Sequence, residues 1–169
     1  MTNQKDLEKS LTDRLAGKMY DHYNIGSGIT AVVRELLGMS DNPSPRISYN
    51  HDHSTIDLLV SDYTTGIRST FASVTVKKKK GETHYSRWGG NYTDYTIASF
   101  EVWLSHPTLE ESFAEAVKAV SDAIDKKKTD RLDRIVKAKE IMKMFDWKSY
   151  ELREWCSQFT KDFYNLNLD

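Results

Sequence analysis

The chain has 169 residues and nearly balanced charge, 24 basic against 25 acidic side chains. That length suits one domain with a core large enough to fold without covalent staples, and the balance excludes any argument for nucleic acid from net charge alone. A single cysteine, Cys156, excludes an internal disulfide and fits a reducing compartment.

Leu7, Leu11, Leu15 and Met19 recur every four residues and predict an amphipathic helix from about Lys5 to Tyr23. Gly26-Ser27-Gly28 is expected to break it. Ile29, Val32, Val33, Leu36 and Leu37 then mark a short second helix, stopped by Gly38 as a C-terminal cap. Asp41-Asn42-Pro43-Ser44-Pro45 reads as a linker, because two prolines forbid regular pairing.

Strand signals follow. Arg46 to Tyr49 predicts a short edge strand, and Thr55 to Tyr63 a second strand closed by the turn Thr64-Thr65-Gly66. From Ile67 to Lys78, Ala72, Val74 and Val76 share one face while Ser69, Phe71, Ser73 and Thr75 share the other. In Thr93 to Leu104, alternation places Ala98, Phe100, Val102 and Leu104 together, opposite Ile97, Ser99, Glu101 and Trp103. Thr108-Leu109-Glu110-Glu111 carries a capping-box pattern and opens a helix striped by Leu109, Phe113, Val117, Val120 and Ile124. A break is expected at Lys126 to Thr129. A further helix holds Leu132, Ile135, Val136, Met142 and Phe145, and a last one holds Leu152, Trp155, Cys156, Phe159 and Phe163. The fold class is therefore α+β: an antiparallel meander of three or four strands, with two N-terminal helices and about three C-terminal helices covering one face. One domain is expected over 1–169, helical in 1–40, sheet in 46–104 and helical in 108–166.

The stretch from Lys77 to Tyr95 is the most informative for function. Four lysines end in a glycine-punctuated loop bearing Tyr85, Arg87, Trp88, Tyr92 and Tyr95. Large rings on a solvated loop suggest a surface that meets something. Lys78, Lys79, Lys80, Tyr85, Arg87, Trp88, Tyr92 and Tyr95 are the candidate binding residues. Rings among cations suit an interface anchored by Trp, Tyr and Arg, and they equally suit stacking on nucleic-acid bases. A second basic row, from Lys126 through Lys143, is interleaved with Asp125, Asp130, Asp133 and Glu140, and reads as a solvated helix face.

Five histidines are present. His51 and His53, two apart on an extended segment, would point the same way, and with Asp57 they offer two imidazoles and a carboxylate to a metal. The simpler reading is a pair of half-exposed histidines at a strand end. His53-Ser54-Thr55-Ile56 and His106-Pro107-Thr108-Leu109 both fit His-x-Thr-hydrophobic and resemble the two-histidine phosphodiesterases. That resemblance implies a general base and a general acid at His53 and His106, with Thr55 and Thr108 holding phosphate. It covers these eight residues only. The family carries a hydrophobic residue before each histidine, where this chain has Asp52 and Ser105. Thr108 is also accounted for as a helix cap. No phosphate-cradling glycine loop and no nucleophile-elbow serine occurs.

The sequence leads first to a non-enzymatic, intracellular binding protein that needs no cofactor and acts on a protein partner. Its aromatic and basic loop would carry the interaction, in an accessory or inhibitor role of the kind common in phages and mobile elements. Single-stranded nucleic-acid binding comes second, and a phosphodiesterase-like or metal-dependent hydrolase third. No run approaches membrane-spanning length, so a cytoplasmic location is expected.

Overall fold

Alternating apolar residues with short connections build one antiparallel sheet, in the order β1 (Arg46–Asp52), β2 (Thr55–Ser61), β3 (Arg68–Ser86) and β4 (Gly90–Leu104). The structure, a computed structural model, describes residues 1–21, 24–39, 46–52, 54–86, 90–152 and 154. The Asp41–Pro45 linker lies outside these. The chain forms two compact units, Met1–Val120 and Ser121–Asp169.

In the first unit one sheet face is dry. Ile47, Ile56, Leu58, Val60, Ala72, Val74, Val76, Phe100, Val102 and Leu104 are buried there. They meet α1 (Gln4–Leu15) through Leu7, Leu11 and Leu15, and α2 (Ile25–Leu36) through Ile25, Ile29, Val32 and Val33. Burying such side chains contributes roughly 1.5–3 kcal/mol each, which is the main force holding the layers together. The other face is polar and tied across strands. Ser48 donates to Ser61 at 3.1 Å, Ser73 donates to Asp57 at 2.5 Å, and Lys77 pairs with Glu101 at 2.7 Å. That pairing holds the Glu101 carboxyl below its usual range, by hydrogen bonding first and charge second.

Two bulges change which side chains face the core. Lys77 opposes Ser99 while Lys78 opposes Ile97, so β4 has one extra residue at Ala98. The extra residue reverses the alternation. Ile97 joins Phe100 in the core, Ala98 is exposed, and Trp103 stays outside at 57% exposure. In the same way, Leu58 opposes Ala72 while Leu59 opposes Thr70, leaving Phe71 as the extra residue of β3. Simple alternation put Phe71 with Ser73 and Thr75, yet it is fully buried, edge-on to Phe113 with ring centroids 5.5 Å apart.

The first helix is shorter than predicted. Gly17, at φ 77°, turns the chain so that residues 17–20 pair along the free edge of β4. The Gly17 amide donates to Ile97 O, Ile97 donates to Lys18 O, and Tyr20 donates to Tyr95 O. Glu8 accepts the Val102 amide at 3.0 Å, so much of this sheet edge is satisfied locally. The second helix begins earlier than predicted, with Gly26 and Gly28 inside it. A Cβ at Gly26 would overlap the Tyr49 ring, so glycine there serves close packing rather than a break. Arg14 and Glu35 join α1 to α2 as a two-pronged ion pair, and the guanidinium keeps Glu35 below the usual carboxylate range.

α3 (Leu109–Phe145) enters the core of the first unit through Leu109, Ser112, Phe113, Ala116 and Val120. Thr108 Oγ1 accepts the Glu111 amide as the predicted cap, while Glu110 accepts the Thr2 amide at 2.9 Å. Burial alone would raise the Glu110 carboxyl, but hydrogen bonds from the Thr2 and Glu110 amides bring it below its usual range. With the folded-state pKa below the unfolded one, this interaction contributes stability above the unfolded value and loses it as pH falls through the folded value. Denaturation should therefore show Glu110→Gln less stable than wild type at about pH 7, with the gap closing near about pH 3.

The break predicted at Lys126–Thr129 is absent, and α3 runs through it. Lysine is a good helix former, Lys128 pairs with Asp125 at 3.4 Å, and the Thr129 hydroxyl donates to Asp125 O at 3.0 Å. One long helix thus replaces the first two of the three predicted C-terminal helices. In the second unit, Asp146 at φ 52° ends it, and Ala138 and Leu152 form a small core with Ile135, Ile141, Met142 and Trp147. Cys156 and the aromatic residues from Trp155 onward lie outside the described residues. Among the described residues, no helix is long and apolar enough to cross a membrane.

Candidate functional site, a β-ribbon arm

The segment predicted as a loop is instead a two-stranded ribbon. β2 begins at Thr55, opposite Thr75, and Ser54 O accepts the Val76 amide at 2.8 Å. Beyond that point β3 and β4 continue as a pair, through Lys80↔Tyr95, Thr83↔Thr93 and His84↔Tyr92 to Ser86↔Gly90. Threonine and tyrosine favour this geometry because they fit a pleated surface. Gly81 and Glu82 oppose the single residue Asp94, so a bulge interrupts the ribbon without ending it. Lys77 through Thr83 are all exposed.

Opposed residues share a face, which divides the candidate binding residues. Lys78, Lys80, Tyr85 and Tyr95 lie on the side continuous with buried Ile97. Lys79 and Tyr92 lie on the other, continuous with Lys77. Tyr85 is 87% exposed, and Tyr92 and Tyr95 are exposed as well. Two arm residues that composition did not single out pack around Tyr92. The His84 ring stacks on it with centroids 5.3 Å apart, and His84 Nε2 lies 2.8 Å from Asp94 Oδ2. Tyr20 is a third such residue. Its ring carries the Lys78 ammonium 3.8 Å from its centroid, and its hydroxyl lies 3.3 Å from His51 Nε2. Nothing in the sequence around Lys78 points to it, because Tyr20 arrives from the distant α1–α2 connection. Arg87 and Trp88 lie outside the described residues.

Of the histidine candidates and their partners, His51, Thr55, Asp57, His106 and Thr108 fall within the described residues. His51 opposes buried Ile56 and so belongs to the dry face, whereas Asp57, the next residue after Ile56, points to the polar face. His51 and Asp57 therefore do not converge, and among the described residues no group of three His, Cys, Asp or Glu is placed to hold a metal. His53 lies outside the described residues. Thr55 sits across the sheet at the level of Thr75 and Glu101, with its hydroxyl 3.4 Å from that of Thr75. His106 lies beyond Leu104, the last paired residue of β4, in a shallow groove lined by Glu111 and Glu115. Lys118 also lines it, and two carboxylates against that one lysine leave the groove without the positive charge that would draw a phosphate. The Thr108 hydroxyl is occupied by the Glu111 amide.

Comparison with protein-family models, with curated proteins and with solved structures finds no match to this chain.

Proposed function

We propose that the protein is a non-enzymatic binding protein, in an accessory or inhibitor role, that grips a protein partner with the β-ribbon arm. The observation that carries this reading is Tyr85, a large ring left 87% exposed on an arm solvated along both strands. Exposed rings beside cations match the composition of interface hot spots, where Trp, Tyr and Arg supply most of the binding energy. The arm holds Tyr92 by stacking and Tyr95 by strand pairing, which reduces the ordering cost when a partner closes over them.

Single-stranded nucleic acid is the second reading. It is favoured by local charge, since Lys77 to Lys80 and Arg87 outnumber Glu82 and Asp94 between Lys77 and Thr96. Changing Lys79 and Lys80 to Gln separates the two. If these lysines neutralise phosphates, the slope of log affinity against log salt should fall by about one unit for each phosphate left without its lysine. For a protein partner the change should appear chiefly in the association rate. Recovery of the partner from a lysate treated with nuclease tests the proposal directly. Nuclease should leave recovery unchanged, and its loss would move nucleic acid to first place.

A further inference from the structure

β3 has two sides, and among the described residues only one of them is filled along the arm. The Val76 amide points toward β2, where Ser54 O receives it. Backbone groups alternate along a strand, so the N–H and C=O of Lys78 and Lys80 point the same way. β2 does not reach them, because its pairing with β3 stops at Thr75. Among the described residues no strand lies along this side of β3 from Lys78 outward. Ser54 bounds the open stretch on one side, and the bulge at Gly81 and Glu82 bounds it on the other. What remains is a short edge able to accept one strand.

The side chains along that edge say which strand fits. Lys77 is paired with Glu101, and Lys78 rests on the Tyr20 ring. Among the described residues, Lys79 and Lys80 have no ion-pair partner, and they project from opposite faces of the same strand. A second copy of this edge would set lysine against lysine, which is how edge lysines discourage self-association. An incoming strand with acidic side chains on both faces would meet one ammonium on each. Lys79 and Lys80 are adjacent, so its two acidic residues must also be adjacent.

We infer that the open edge of β3 at Lys78–Lys80 receives an extended segment of the partner protein as an added strand, and that two consecutive acidic residues specify that segment. This rests on the arm being the protein-binding element and names the chemistry of what it binds. Backbone pairing supplies the attachment, and the two opposite-charge pairs supply register and selectivity.

Three synthetic threonine-rich peptides of about eight residues, the length of a typical strand, test it. The first carries two consecutive glutamates. The second carries the same glutamates separated by one residue, so that both fall on one face. The third repeats the first with N-methyl groups at alternate residues on its pairing edge. The first should protect the Lys78 and Lys80 amides from hydrogen exchange. The second should bind about threefold more weakly, the worth of one cross-strand charge pair. The third should lose about tenfold or more through its missing backbone hydrogen bonds. Equal binding by all three would reduce the attraction to point charges and overturn the inference. So would oligothymidylate protecting the same amides more strongly than the first peptide, or no protection of them by any peptide. Replacing residues 82–93 by an Asn-Gly turn keeps the Lys80–Tyr95 pair and this edge while removing the outer arm, with Gly81 and Asp94 closing the turn. That variant should still bind the first peptide. Wild-type partner affinity in it with peptide binding intact would count against the arm, whereas weakened partner binding with peptide binding lost would count against the edge alone.

Discussion

Phe71→Ala should destabilise the first unit by about 3–5 kcal/mol in chemical denaturation. The ring is fully buried and meets Phe113 edge-on, so truncation removes both burial and an aromatic interaction. The matched control is Trp103→Ala, which should cost less than about 1 kcal/mol because more than half of that side chain is already in water. Both residues are large aromatics on adjoining strands, and simple alternation places both with Ser73 on the polar face, so the bulge at Phe71 decides that it alone turns to the core. A reversed order of costs would mean that the extra residue at Phe71 does not turn the strand as described.

Tyr85→Ala should separate stability from binding. With the ring 87% exposed, its loss should leave the melting temperature nearly unchanged. If Tyr85 anchors the interface, the same change should weaken partner binding by about 2 kcal/mol or more, measured by titration calorimetry. Tyr92→Ala should behave differently, since it also unstacks His84, and a small loss of stability should accompany its loss of binding. A large stability loss on Tyr85→Ala with affinity unchanged would make the arm a packing element.

The parts of the fold that depend on neighbours in sequence could be read directly. Thr108 caps α3 and Gly38 ends α2 at φ 64°, because a cap is chosen within one turn of its helix. The strand identities of β2, β3 and β4 followed from their alternation. What could not be read is set by residues far apart in the chain. An extra residue such as Ala98 shows only against its partner strand, and one bulge is enough to exchange Ile97 for Ala98 in the core. Gly81 looked like the start of a loop because glycine commonly ends a strand. Here it sits against the backbone of Asp94 in a bulge, and the ladder resumes at Thr83. At the candidate site, composition identified the lysines and tyrosines. The division of these residues between two faces, and the capture of Lys78 by Tyr20, required the pairing of β3 with β4 and of residues 17–20 with β4.

The most direct measurement of the arm's role is partner affinity in the variant whose residues 82–93 are replaced by Asn-Gly, compared with wild type after nuclease treatment. Gly81 and Asp94, whose backbones face each other across the ribbon, supply the flanks such a turn needs, so the sheet should fold with a melting temperature close to that of wild type. Binding by the arm requires that affinity fall by about 2 kcal/mol or more, the worth of at least one hot-spot residue. Wild-type affinity in a folded variant would contradict it.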